Sequence, residues 1–305
     1  MSLSEKTKNW IDAYCRVSLK GKTVVITGAN SGVGFKTAET VLYSGADVIM
    51  ACRNLRKATA AAQRLRLAYP GSTVTVMKLD LADLSSIESF ADELKEKQVD
   101  VDAFVNNAGV FRKPGKTTAD GFELVMGTNY IGTYYLCEKV LPYLETLGHE
   151  VVLVNTISMV YKNAGIDYED FYFARRYGNL SVYARSKLCL AKYSLALAER
   201  YKNKNIRVYM THPGITITPL GANAFGKTVK RLSGAGAYLF NPTEKSALSL
   251  IYIMSHNIPA GSVVGPNKGF GGWGYPEVNR VRSDLKTGGD KLIAFTEDEI
   301  KKHKN

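Results

Sequence analysis

Short apolar runs alternate with amphipathic stretches along nearly the whole chain. Thr23–Thr27, Ala46–Ala51, Thr73–Leu79, Val101–Val105, Glu150–Ile157 and Ile206–Thr211 are rich in β-branched and other apolar residues and bounded by Gly, Pro or polar positions, so they read as buried strands. Helical spacing fills the gaps: about Gly34 to Ser44, residues 54–68, a helix capped by Asp83 and running to about Lys97, then Asn129 to Leu147 and Val182 to Tyr201. Asn241-Pro242-Thr243-Glu244 has the signature of a helix start with Asn241 as the cap, Gly261–Val264 reads as a short last strand, and Thr296-x-x-Glu299 as a capping box opening a brief C-terminal helix. Trp10, Ile11, Tyr14 and Val17 share one face of a helix within residues 4–18, which is expected to staple onto a sheet edge. Strand–helix alternation predicts a single α/β domain: a doubly wound parallel sheet of about seven strands with helices on both faces. Residues 1–20 form an N-terminal amphipathic extension, 21–265 the main domain, and 266–305 a C-terminal loop and short helix.

Composition narrows the class. The 305 residues are 45% hydrophobic and 22% charged, which is globular, and no apolar run is long enough to cross a bilayer. Residues 1–22 lack the apolar centre of a signal peptide. Cys15, Cys52, Cys137 and Cys189 are scattered, as expected of a reduced, cytoplasmic protein, and neither they nor the four histidines make a metal-ligand pattern. The net charge is +12, but the cations are spread without a long basic block, so nucleic acid is not an expected partner.

The first strand runs into Gly28, Gly32 and Gly34 and then a helix. Strand, glycine turn and helix N-terminus together hold a pyrophosphate: the glycines let backbone approach the phosphates, and the first helical N–H groups are unpaired. This is the Rossmann-type arrangement, with Gly28, Asn30, Ser31, Gly32, Val33 and Gly34 as the phosphate-side contacts. After the second strand, where a carboxylate would take a ribose 2′-hydroxyl, stands Ala51-Cys52-Arg53-Asn54. The planar charged fork of Arg53 suits a 2′-phosphate, so Arg53 and Asn54 point to NADP(H) rather than NAD(H). Asp80 and Leu81, after the third strand, are placed to meet the adenine.

Thr27-Gly28-x-x-x-Gly32-x-Gly34, Asn106-Asn107-Ala108-Gly109, Asn129, Ser158, Tyr183-x-x-x-Lys187 and Pro213-Gly214 occur in one order from about Gly21 to Gly265. In this the chain resembles the short-chain dehydrogenase/reductase (SDR) family. Ala51-Cys52-Arg53-Asn54 and Tyr183-Ala-x-Ser-Lys187-Leu188 resemble most its retinol-dehydrogenase-like branch. The chemistry can be argued without the name. Hydride delivery to a carbonyl leaves an alkoxide that needs a proton, and a phenol can give it, but an ordinary tyrosine, with a pKa near ~10, cycles poorly at neutral pH. A cation one helical turn away, Lys187 to Tyr183, is expected to lower that value. Tyr183 is therefore the candidate general acid/base, and Ser158, ending strand five, the hydrogen-bond partner of the substrate oxygen. The resemblance implies that Lys187 also holds the nicotinamide ribose, and that Asn129 supports a proton path to Lys187. It further implies that Asn107, Ala108 and Gly109 line the cofactor, and that Pro213, Gly214, Ile215 and Thr218 meet the nicotinamide carboxamide and phosphates. Thr216 stands where the family usually has Val. Tyr135-x-x-x-Lys139 has the same spacing but precedes Ser158, breaks the motif order, and reads as packing.

Two segments mark the substrate side. The insertion at about 159–180 carries Tyr168, Phe171, Tyr172 and Phe173 among acidic residues and is expected over the active site, with ordinary packing as the alternative for its aromatics. A Gly- and Ala-rich stretch within about 215–241 falls where the family has its mobile lid. Gly269 to Gly274 reads as too flexible for a strand. Together these predict an NADP(H)-dependent oxidoreductase acting on a small carbonyl or alcohol substrate, apolar or aromatic. The alternative is a non-catalytic NADP(H)-binding sensor, a role for which such folds typically lose the Tyr or Lys. The glycine spacing excludes an extended-branch epimerase or dehydratase. The resemblance implies a homodimer or homotetramer in which the two long helices pair.

Overall fold

The computed structural model describes residues 3–111, 115–173, 178–216, 241–268 and 272–304. Most of the predicted lid, Thr218 included, lies outside them. Among the described residues one sheet holds eight strands, β1 (Thr23–Thr27), β2 (Asp47–Cys52), β3 (Val74–Lys78), β4 (Ala103–Asn106), β5 (Val151–Thr156), β6 (Ile206–Thr211), β7 (Val263–Lys268) and β8 (Trp273–Asn279), in the order β3-β2-β1-β4-β5-β6-β7-β8. The first seven are parallel and β8 is antiparallel to β7. The order reverses between β1 and β4, so a crevice opens beyond their C-terminal ends.

Both faces of the sheet are covered, which is why its central strands are apolar on both sides. On one side α4 (Leu84–Glu96), α6 (Gly132–Glu145) and α7 (Asn179–Arg200) pack over Phe104, Leu153 and Val208. On the other, α2 (Gly32–Tyr43), α3 (Leu55–Ala68) and α9 (Ser249–Ser255) pack over Val24, Ile26 and Met50. The N-terminal helix α1 (Glu5–Tyr14) ends before Val17; Ser4 caps it by accepting from Thr7 N, and Trp10 stacks on Tyr275 of β8 with ring centroids 4.9 Å apart. Ser4 and Thr7 hydroxyls both donate to Glu244, which also pairs with Lys36 of α2 (3.2 Å), so α1 is tied to the main body by polar contacts as well.

Several local expectations are corrected. Asn129 does not sit in an α-helix: after a helical turn α5 (Leu124–Met126), residues Gly127–Ile131 form a π-turn that leads into α6. Asn241 does not cap α8 (Thr243–Ser246); its Nδ2 donates to Pro213 O (3.2 Å) and Ser246 Oγ (3.0 Å), which fastens the loop after β6. Trp273 and Gly274, read as flexible, begin β8, because the free edge of β7 gives this segment a partner. Thr296 does not open a helix. It lies inside α10 (Gly289–Lys304), buried, donating to Leu292 O (2.7 Å) and bonded to the Tyr130 hydroxyl (2.7 Å). Leu292 of α10 is fully buried against the α6–α7 side, so Leu292→Ala is expected to cost about 2–5 kcal/mol of folding stability. Chemical denaturation measures it, and a loss below about 1 kcal/mol would show that α10 is only loosely docked.

Candidate active site

The crevice at the strand ends is a cleft of about 510 Å³. At its mouth β1 passes into α2, whose N-terminus faces the cleft through Ser31, Gly32 and Val33. A Cβ on Gly34 would lie 2.4 Å from Asn107 Nδ2 and 2.8 Å from Gly28 O, so only glycine lets α2 start this close to β1. Thr27 holds the neighbouring loop: its Oγ1 accepts from the backbone N–H groups of Asn107 (3.0 Å) and Ala108 (2.9 Å), while Asn107 Nδ2 donates to Thr27 O (2.9 Å). Gly28, Asn30, Asn107, Ala108 and Gly109 all line the cleft. A diphosphate fits this cradle: open backbone on a glycine turn, with the positive end of a helix behind it.

At the β2 end, Arg53 lines the cleft, 57% exposed, with its Nε 3.9 Å from Asp80 Oδ2. Asp80 and Leu81 are beside it. Asn54 is at the wall too, but its Oδ1 caps α3 by accepting from Lys57 N (2.9 Å). Lys57 also lines this end and escaped the sequence reading. The signal was there: it stands one helical turn beyond the Arg53–Asn54 step, where a second cation faces the same way.

The other end is built from β5, α7 and the loop after β6. Ser158, Tyr183 and Lys187 line the cleft together, with the Ser158 side chain beside the phenol of Tyr183. Lys187 Nζ donates to Thr156 O (2.7 Å) and lies 5.9 Å from the centre of the Tyr183 ring. The expected acidification of the phenol is not what this arrangement yields. Burial pushes Tyr183 up to about 12, the neighbouring Ser158 hydroxyl only partly opposing it, and burial pushes Lys187 down to about 8. Both groups lie where their charged forms lose water, and that loss sets the direction of both shifts. Asn129 is close but does not line the cleft. Its Oδ1 accepts from Val110 N (2.7 Å) and its Nδ2 donates to Val110 O (2.9 Å) and Ser186 Oγ (3.2 Å). It reaches the site from behind Gly109, where an added Cβ would lie 3.2 Å from Asn129 Oδ1 and 3.6 Å from Lys187 Nζ. Pro213, Gly214, Ile215 and Thr216 close the far wall, and Ile215 N donates to Gly272 O (2.8 Å). Tyr135 is elsewhere, its hydroxyl on Glu88 and Lys304.

The substrate side differs from the sequence reading. Tyr168, Phe171 and Tyr172 do not line the cleft: Phe295 of α10 packs on Tyr168 and Phe171 (5.0 and 4.8 Å between ring centres), and the Tyr172 hydroxyl donates to Glu299 (3.0 Å). Arg185 holds the same segment, donating to Gly165 O (3.0 Å) and Phe171 O (3.2 Å) and lying 3.7 Å over the Phe173 ring. These aromatics are packing. The apolar wall near Tyr183 comes instead from Phe111, Val160, Leu180 and Ile215, with the Phe111 ring 5.3 Å from that of Tyr183 in an edge-on arrangement. Phe111 and Leu180 were missed because they sit in a loop and at a helix start, where periodicity carries no information.

His212, just before Pro213, is fully buried, and burial, helped by the Lys162 charge, pushes it down to about 4. The unfolded imidazole takes up its proton near pH ~6.5 and the folded one only near 4, so the unfolded state binds more protons between them. Stability is therefore whole above that window and falls as pH drops through it, by up to ~3 kcal/mol from this residue. Denaturation at neutral and mildly acidic pH should show a shallower acid loss in His212→Asn than in the natural protein; parallel losses would refute the assignment.

Comparison with known proteins agrees with this geometry. The short chain dehydrogenase family matches residues 22–228. Human retinol dehydrogenase 13 is 36% identical over 207 residues, 68% of this chain and 62% of its own length. Mouse retinol dehydrogenase 14 is 39% identical over 213 residues, 67% of this chain and 64% of its own length. The chain thus spans less than two thirds of either relative. An uncharacterized protein from Mycobacterium Paratuberculosis, known as a crystal structure, has a TM-score of 0.74 at 32% identity, covering 92% of this chain and 94% of that one. Among the described residues no helix is long and apolar enough to cross a membrane. A doubly wound sheet, a glycine cradle for a diphosphate, and Ser158, Tyr183 and Lys187 gathered at one cleft are joined by these likenesses in a single conclusion: the chain belongs to the short-chain dehydrogenase/reductase family of nicotinamide-binding oxidoreductases, in its retinol-dehydrogenase-like branch.

Proposed function

We propose that this protein is an NADP(H)-dependent oxidoreductase that interconverts a carbonyl and an alcohol on an apolar or aromatic substrate, with Tyr183 as general acid/base. The observation that carries it is the gathering of Ser158, Tyr183 and Lys187 at an apolar end of the cleft, while the cations Arg53 and Lys57 mark the other end. The glycine turn and the α2 N-terminus would hold the diphosphate, Arg53 and Lys57 the 2′-phosphate, and Lys187 the nicotinamide ribose. A nicotinamide coenzyme held there would supply or accept the hydride. Everything else falls to the chain. The Ser158 and Tyr183 hydroxyls hold the substrate oxygen. Held up to about 12, the phenol keeps its proton through the neutral range, the form that carbonyl reduction needs; it gives that proton to the alkoxide oxygen as the O–H bond forms. The ammonium of Lys187, one turn along α7, then stabilises the phenolate left behind. Asn129, fixed on the Val110 backbone behind Gly109, is a positioning residue in this scheme. Phe111, Val160 and Leu180 exclude water from the reacting oxygen and bring no charge to the substrate side, which favours uncharged substrates.

The test follows NADPH oxidation against a panel of aliphatic and aromatic ketones, aldehydes and quinones. Turnover of uncharged aromatic or apolar carbonyls is expected. NADPH binding with no carbonyl consumed would favour a non-catalytic sensor of the cofactor.

A further inference from the structure

The far wall of the cleft is set by what lies behind it. A Cβ on Gly214 would lie 2.5 Å from Gly272 O and 2.7 Å from Pro266 Cγ, so the Pro213–Ile215 turn sits directly on β7 and on the residue that leads into β8. Pro213 O accepts from Ser246 Oγ (2.6 Å) and Asn241 Nδ2 (3.2 Å), and Ile215 O accepts from Asn241 N (2.7 Å). Asn241 Oδ1 accepts in turn from Gly274 N (3.1 Å) in β8. The wall therefore follows α8 and the start of β8 wherever they go.

The N-terminal helix grips both supports. One carboxylate, Glu244 of α8, joins three elements. Its Oε2 accepts from the Ser4 hydroxyl (2.6 Å), the Ser4 N–H (3.3 Å) and the Thr7 hydroxyl (2.8 Å) at the start of α1, and its Oε1 from Lys36 of α2 (3.2 Å). Burial raises this carboxyl, but the hydrogen bonds from Ser4, Thr7 and Lys36 more than reverse the effect and keep it ionised. At β8, Trp10 lies flat on Tyr275, with ring centres 4.9 Å apart and planes within 6°, and Lys245 of α8 stands 4.5 Å from the centre of the Tyr275 ring. Tyr275 is thus shared by α1 and α8.

We propose that α1 is a positioning element for the nicotinamide end of the cleft, with Glu244 the positioning residue through which it fixes the Pro213–Ile215 wall. This role rests on the proposed coenzyme reading, in which that wall meets the nicotinamide; the brace itself is measurable without coenzyme. Through Lys36 the same carboxylate reaches α2, whose N-terminus faces the diphosphate cradle, so α1 fixes the spacing between cradle and wall. Arg53 and Lys57 follow β2, so the adenosine end of the cleft stands on other elements.

Two variants of the full chain test this. Ser4→Ala/Thr7→Val removes both hydroxyl donors and keeps the Glu244–Lys36 pair; Trp10→Ala removes the stack on Tyr275 and keeps Glu244. Hydrogen–deuterium exchange without coenzyme is the first readout. Both variants should speed exchange at the Ile215 and Asn241 amides by about tenfold, with the amides of β5 and α7 unchanged. Thr7→Ser, which keeps the hydroxyl, should exchange as the natural protein does. Unchanged rates at Ile215 and Asn241, or an equal rise in β5 and α7, overturn the proposal; the second result would mean that α1 serves only global stability. Calorimetric binding is the second readout. NADPH should bind both variants about five- to tenfold more weakly, and adenosine 2′,5′-bisphosphate, which carries the adenosine half alone, within about twofold of the natural protein. Equal losses for both ligands, or none for NADPH, overturn the role in placing the nicotinamide. No NADPH binding by the natural protein would sink the proposed function, while the exchange rates would still decide whether α1 holds this wall.

Discussion

Tyr183→Phe is expected to lower turnover of any accepted carbonyl by about 10²–10⁴-fold while leaving NADPH affinity within about threefold of the natural protein. The substitution removes one hydroxyl and keeps the ring that packs edge-on against Phe111. What is lost is the proton donor beside Ser158, and no other phenol lines the cleft to replace it among the described residues. Lys187 cannot take over directly, because its ammonium is held on the Thr156 carbonyl. Steady-state kinetics give the turnover, and quenching of protein fluorescence by NADPH gives the affinity. Unchanged turnover would remove Tyr183 from the mechanism. A collapse of NADPH binding would mean that the phenol serves the cofactor rather than the substrate oxygen.

Arg53→Asp is expected to weaken NADPH binding by about 10²-fold and to turn the preference towards NADH. Arg53 is largely exposed and its ion-pair partner Asp80 is distant at 3.9 Å, so its fork is available to a dianionic phosphate. A carboxylate in its place repels that phosphate and can instead accept from a ribose 2′-hydroxyl. Lys57 remains to retain part of the attraction, so the double variant with Lys57→Ala should lose more. Calorimetric titration with both coenzymes measures the ratio. An unchanged preference would place the 2′-phosphate, or the choice of coenzyme, elsewhere.

Much of this architecture was legible beforehand because it is local. A run of β-branched residues commits itself to a strand whatever lies around it, and Ile206–Thr211 was predicted with its observed limits. Asp83 was readable as a cap because the rule needs only the next three residues, and its carboxylate does accept from Ser85 N and Ser86 N. The glycine turn was visible for the same reason. Features that depend on a distant partner were not. Trp273 and Gly274 look like loop until β7 offers an edge, and Thr296 looks like a helix start until Tyr130 gives its hydroxyl a partner and Leu292 a place in the core. The aromatics of the 159–180 insertion were ambiguous because a ring packs as readily on a ligand as on Phe295; only the docking of α10 decides between them.

The amino-acid order alone therefore determined the strand–helix alternation, the phosphate cradle and the one-turn spacing of Tyr183 and Lys187. Each rests on residues within a few positions of one another. Tertiary structure decided which side chains share a cavity and how much water they lose. It brought Phe111 and Lys57 to opposite ends of one cleft, and it raised the phenol where spacing alone predicts a lowered one, because the penalty for burying a charge is set by everything packed around it.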